Sequence, residues 1–79
     1  MAKMSKKKKY MAYILHEDEE FGYKQKKIAA LMDVSQSTIS SVVKEMRYEV
    51  EIYGLQKKLE KQAREKARAL VAENIEYLE

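Results

Sequence analysis

The sequence predicts an all-α protein: a trihelical helix-turn-helix core with a long C-terminal helix used for dimerisation. Three observations lead there. The chain holds no proline and only two glycines in 79 residues, while Ala, Lys, Glu, Leu and Met are frequent, a composition that favours helix. Apolar residues recur at spacings of three and four along most of its length, as amphipathic helices require. Residues 25–44, QKKIAALMDVSQSTISSVVK, set two such stripes on either side of a short polar interruption.

The first helix runs from about Ser5 to Glu17, with Tyr10, Met11, Ile14 and Leu15 on one face, and residues 1–5 fray. Its four lysines, Lys6, Lys7, Lys8 and Lys9, stand at the end where the helix dipole disfavours cations. They are either a solvated helix start or an end that touches phosphates. Residues 16–22 form a loop. Its acidic run, Glu17-Asp18-Glu19-Glu20, would repel DNA and therefore faces away from it. Phe21 is a core plug, and His16 an incidental helix-end residue.

A second helix begins at Tyr23 or Lys24 and buries Ile28, Ala29, Leu31 and Met32. Asp33-Val34-Ser35 interrupts it, and Ser35 is a good N-cap for a third helix starting at Gln36. Two helices crossing steeply over so short a turn need a small side chain where their backbones approach, and Ala29 supplies it. Val34 plugs the corner opposite Ile39. Ile39, Val42 and Val43 form the buried stripe, which Met46, Val50 and Tyr53 extend, so helix 3 reaches about Tyr53. Its outer face carries Gln36, Ser37, Ser40, Ser41 and Lys44. Short hydrogen-bonding groups with one cation suit base edges in the major groove better than they suit a plain solubility face.

Beyond Gly54 a stripe of different phase follows: Ile52, Leu55, Leu59, Ala63, Ala67, Leu70, then Asn74, Tyr77 or Leu78. A glycine inside a helix costs about 1 kcal/mol relative to alanine. Either a fourth helix is separate, or one helix spans about residues 36–78. In both versions this helix is too long to bury on so small a core and pairs with a second chain. Ile52, Leu55, Leu59, Ala63, Ala67, Leu70 and Leu78 are the expected dimerisation residues. The chain then divides into a DNA-binding domain, residues 1–54, and a dimerisation helix, residues 55–79. Between them in sign, residues 57–68 read as a solvated helix with i,i+4 ion pairs.

The unit of residues 25–44 resembles the DNA-binding helix-turn-helix of phage and plasmid repressors, most closely the lambdoid type. Ala29, Val34, Ile39, Val42 and the glutamine pair Gln25 and Gln36 carry the resemblance. It implies that Gln25 touches a phosphate and supports Gln36, that Gln36 reads adenine, and that Ser37 contacts a neighbouring base. Asp33 departs from the family's usual glycine, although aspartate tolerates a left-handed backbone better than most residues. The resemblance covers about a quarter of the chain, and nothing downstream shares it.

Composition narrows the function further. With no cysteine and one histidine, neither a disulfide framework nor a zinc site is expected, and no cofactor. No nucleophile–base pair, phosphate loop or ligand cluster marks an enzyme, so no catalytic residue is assigned. No apolar run approaches the ~18–20 residues of a membrane span, which points to a cytoplasmic protein. The net charge is +3 with a pI of 9.1. Its basic residues gather in three clusters: Lys3 with Lys6 to Lys9; Lys24, Lys26 and Lys27; and Lys57, Lys58, Lys61, Arg64, Lys66 and Arg68. Lys24, Gln25, Lys26, Lys27, Ser35, Thr38 and Arg47 are the expected phosphate contacts. The expected function is sequence-specific binding of double-stranded DNA by a homodimer on a palindromic operator. A transcriptional repressor of a phage, plasmid or other mobile element fits this best. The alternative is a protein-interaction module, an inhibitor or partition adaptor, that uses the long C-terminal helix on a protein partner.

Overall fold

Four caps and breaks decide where this chain is helical. In the computed structural model, residues 4–74 are described. They form α1 (Lys6–Glu17), α2 (Gln25–Met32), α3 (Gln36–Tyr53) and α4 (Lys57–Glu73), with no strand among the described residues. Ser5 starts α1: its side-chain oxygen accepts the Lys8 N–H at 3.3 Å, satisfying one of the donors a helix start leaves free. Met4, expected to fray, packs against the core. The unfavourable lysines of the first turns are met by α3. Lys6 pairs with Glu49, and Lys9 lies 3.0 Å from Glu45.

α1 is the centre of the molecule. Tyr10, Met11, Ala12, Ile14 and Leu15 are all buried. Three consecutive buried positions cannot come from one stripe, so α1 is covered from more than one side. The loop after it is held by backbone bonds from the Asp18 N–H to Ile14 O and from the Tyr23 N–H to Leu15 O, both 2.9 Å. Phe21 packs on the core as expected, its ring tilted against Tyr23 at 6.2 Å.

α2 ends because Asp33 turns left-handed, at φ 56° and ψ 49°. The Asp33 N–H then donates to Ala30 O at 3.3 Å and the Val34 N–H to Ala29 O at 3.0 Å, the paired bonds of a Schellman cap. Val34 packs against the core beside it, the apolar contact that accompanies such caps. Ser35 starts α3 by accepting the Thr38 N–H at 3.2 Å. Along α3 the buried residues are Ile39, Val42, Val43 and Met46. The stripe stops there: Val50 is half-buried and Tyr53, expected to continue it, is 80% exposed.

Gly54 settles the question of one helix or two. Its φ of 78° and ψ of 173° fall in a region that is essentially glycine's alone. The chain reverses there, and α4 runs back along α1, its most extensive partner. This corrects the expectation of a helix too long for its own core. Ala63 and Ala67, both 0% exposed, belong to the same hydrophobic cluster as α1, and Leu59, Leu70 and Val71 pack against it. The physical reason is side-chain size. Two alanines one turn apart let the helix backbones approach closely, so a narrow stripe suffices. Residues 54–56 thus separate two helices that share one core. Of the other residues expected at a dimer contact, Ile52 and Leu55 are 51% and 43% exposed, and Leu78 lies outside the described residues.

Stability changes at two positions follow from these backbones. A Cβ at Gly54 would meet nothing within 4 Å, so Gly54→Ala pays only a conformational penalty, about 1–3 kcal/mol, measurable by urea unfolding. At Asp33, a β-branched Asp33→Val should cost ~1–2 kcal/mol. Asp33→Gly should be neutral or stabilising by less than ~1 kcal/mol, because relief of the left-handed strain is offset by the freer unfolded chain.

Candidate nucleic-acid interface

The first half of α3 presents a polar face with a fixed back. Ser37, Ser40, Ser41 and Lys44 follow at spacings of three and four and are exposed, as is Gln36 in the first turn. Ile39, Val42, Val43 and Met46 hold the opposite side in the core at 6% exposure or less. The helix cannot roll without exposing them, so the polar face has one orientation. All five expected base-reading residues therefore lie together on the surface.

The expected phosphate contacts divide. Gln25 opens α2, half-buried, with Lys24 as its N-cap residue. Lys24 has no side-chain capping bond, so the first-turn N–H groups are not occupied by it. Lys24 and Lys26 are exposed and line an open hollow with Gly22, Tyr23 and Lys27. Positive side chains beside backbone N–H groups suit an anion. Ser35 and Thr38 do something else. Ser35 Oγ is the helix cap and sits 2.7 Å from Thr38 Oγ1 and 3.2 Å from Ser37 Oγ. This hydroxyl cluster starts the helix and sets the rotamers at the edge of the polar face. Ser37, Thr38 and Ser41 also line a shallow groove with Met4, Lys9 and Val42.

Arg47, expected at a phosphate, is engaged within the fold. Its Nε donates to Glu17 Oε1 at 2.9 Å, with a second donation from Nη2. It ties α3 to the end of α1 and is already neutralised. Asp18 and Glu20 of the acidic run are gripped by α4. Arg64 Nη2 reaches Asp18 Oδ2 at 2.7 Å and Glu60 Oε1 at 2.9 Å. Arg68 pairs with Glu20 through two bonds, 2.6 and 2.9 Å long. The Glu60–Arg64 pair is the i,i+4 pair the sequence suggested; the bonds to the loop were missed. Their one signal was complementarity between an acidic run at 17–20 and arginines in a segment of mixed charge. No contact between segments so far apart follows from that alone.

No protein family, curated protein or solved structure matches the chain. The site is accordingly read from its own chemistry. Among the described residues no group of three or more His, Cys, Asp or Glu could hold a metal ion. No described helix is long and apolar enough to cross a membrane. His16 Nδ1 is buried, 3.5 Å from Glu17 Oε1, with no hydrogen-bond partner.

The ion pairs set a pH dependence. Arg47 holds the Glu17 carboxyl below its usual range, Arg64 together with the Glu20 N–H does so for Asp18, and Arg68 for Glu20. A carboxylate with a lowered folded-state pKa stabilises the fold above its ordinary value and loses that contribution as pH falls through the lowered one. Stability should therefore be level above the ordinary glutamate value of 4.5 and decline below it. Arg64→Gln should flatten the decline. Urea midpoints across this range, for both proteins, check it.

Proposed function

We propose that this chain binds double-stranded DNA sequence-specifically, placing the first half of α3 in the major groove. One observation carries the reading. Gln36, Ser37, Ser40, Ser41 and Lys44 form an exposed hydrogen-bonding face on a helix whose back is locked in the core. The charges around it support the reading. Lys24 and Lys26 are exposed at the start of α2, which packs against α3. Glu17, Asp18 and Glu20 of the acidic run are paired with Arg47, Arg64 and Arg68, which lowers the run's repulsion of phosphate. The short turn at residues 33–35 joins α2 to α3, which pack against each other, the connectivity that a helix-turn-helix requires.

In this reading Gln36 makes a bidentate pair with adenine, Ser37, Ser40, Ser41 and Lys44 touch neighbouring bases, and Lys24, Gln25, Lys26 and Lys27 hold phosphates. So few reading side chains give one copy little specificity. Two copies on a palindrome, about one helical turn of ~34 Å apart, double the readout. Occupying a promoter is enough for repression.

A second reading, a protein-interaction module, draws on a different observation: Tyr48, Ile52 and Tyr53 are exposed at 65%, 51% and 80%. It can no longer use the apolar stripe of α4, which lies against α1. The two readings part on charge. Lys24→Glu with Lys26→Glu should abolish DNA binding and leave a protein partner's binding intact.

The direct test is fluorescence anisotropy with operator and scrambled duplexes at several salt concentrations. Operator can be selected from a random pool. Gln36→Ala should weaken operator binding by about 1–3 kcal/mol, roughly 5- to 150-fold, and leave binding to scrambled DNA nearly unchanged. Equal losses on both duplexes would reject base reading by Gln36. No DNA binding at low salt would reject the proposal.

A further inference from the structure

The lysines that open α1 do not share one environment. Lys8 is exposed, and Lys6 pairs with Glu49. Lys9 instead lines the shallow groove that also holds Ser37 and Ser41 of the polar face. Its Nζ lies 3.0 Å from Glu45 Oε2 and 3.2 Å from Oε1, and Glu45 is the acid of that same groove. We propose that this groove, between the start of α1 and the polar face of α3, seats a backbone phosphate of the bound duplex, held by Lys9. The inference rests on the DNA-binding reading and adds to it a contact from a third helix.

Three observations carry it. The first is place. Side chains advance about 100° per residue around a helix, so Glu45, four residues past Ser41, stands only about 40° further round, on the side toward Val42. Val42 is buried, which makes Glu45 the margin of the polar face, and Lys9 is fixed at that margin. A helix lying in the major groove has a strand of phosphates along either side. The margins of its exposed face are where those strands run.

The second is the state of the charge. The Glu45 side chain is 55% exposed, and ion pairs so open to water are weak. A lysine ammonium carries three donors, so it can turn from a carboxylate to a phosphate without leaving a proton unpaired. Holding a lysine side chain still costs rotamer entropy. Glu45 has already met part of that cost, since it keeps the ammonium at the groove before DNA arrives. The carboxylate is thus a stand-in for the phosphate.

The third is contrast within the fold. Lys6 with Glu49 and Arg47 with Glu17 are also exposed pairs between α1 and α3. Neither Lys6 nor Arg47 lines the groove of Ser37 and Ser41. Those two pairs join helices, whereas the pair of Lys9 and Glu45 joins a helix to the reading face.

Fluorescence anisotropy over a range of salt concentrations, with operator and scrambled duplexes, tests the contact. Lys9→Gln should weaken binding to both duplexes about equally, ~5- to 10-fold, and lower the slope of log affinity against log salt by about 1. Lys9→Arg should keep the slope, and so should Lys6→Gln. Glu45→Gln should act in the opposite direction and tighten binding by ~3- to 10-fold, because a repelling charge leaves the groove. A strut that only braces the fold predicts the same sign for Lys9→Gln and Glu45→Gln, since either breaks the pair. The pair is weak, so both variants should keep the circular dichroism spectrum and Tm. A neutral methylphosphonate, moved along the operator one position at a time, should find a phosphate whose loss weakens the unmodified chain and leaves Lys9→Gln unaffected. An unchanged slope for Lys9→Gln, weaker binding by Glu45→Gln, an equal loss of slope for Lys6→Gln, or the lack of such a phosphate would overturn the proposal and leave the DNA reading standing. An unmodified chain that binds neither duplex at low salt would remove both.

Discussion

Everything in this fold depends on α4 lying against α1. α1 buries five residues spread around most of its circumference, and a pair of helices as short as α2 and the first half of α3 cannot cover them all. A chain of this length stands near the limit at which a single core outweighs conformational entropy. Leaving one side of α1 wet would remove Tyr10 and Ile14 from the core and with them its margin. α4 closes that side with two alanines, three larger residues at the edge, and a row of ion pairs to the loop. Gly54 makes the reversal possible, because its backbone is one that other residues seldom adopt.

The ion pairs and the apolar contact divide the work. Burial of Ala63 and Ala67 contributes little area, since alanine has little to bury. What it supplies is proximity, which lets Leu59, Leu70 and Val71 reach the core edge. The arginines then fix which stretch of α4 lies opposite the loop. Arg64 meets Asp18 and Arg68 meets Glu20, one helical turn matched to two residues of loop. Exposed pairs of this kind are individually weak. As a matched row, however, they favour the docked position of α4, since a shift of one turn would leave one of the two arginines without a loop carboxylate.

The local part of this architecture was legible in the sequence. Ser35 and the apolar spacing placed the start of α3, the spacing placed α1 at about Ser5 to Glu17, and the Asp33-Val34-Ser35 interruption marked the end of α2. All these signals act over four residues or fewer. The candidate interface was legible for the same reason, since an outer face is fixed once its helix and its buried stripe are known. What could not be read was any decision between segments far apart. Arg47 looked like a groove-edge cation until Glu17 arrived beside it, thirty residues away. Alanines at a helix interface give almost no hydrophobic signal, so the α4 stripe looked thin and in need of a partner chain. Tyr53 has the period of a core residue but sits past the end of the surface that could cover it.

The pairing of α1 with α4 also sets an order of events when the chain folds. α2 and the start of α3 are neighbours in sequence and can find each other over a short loop, whereas α1 must wait for residues some fifty positions away. Closing the larger loop costs entropy before any contact repays it. On a ribosome, α1 would leave the tunnel with Tyr10, Ile14 and Leu15 uncovered and remain so until the last quarter of the described chain had followed. The polar face of α3 would thus be built by its local partners first and become rigid only when α4 docks.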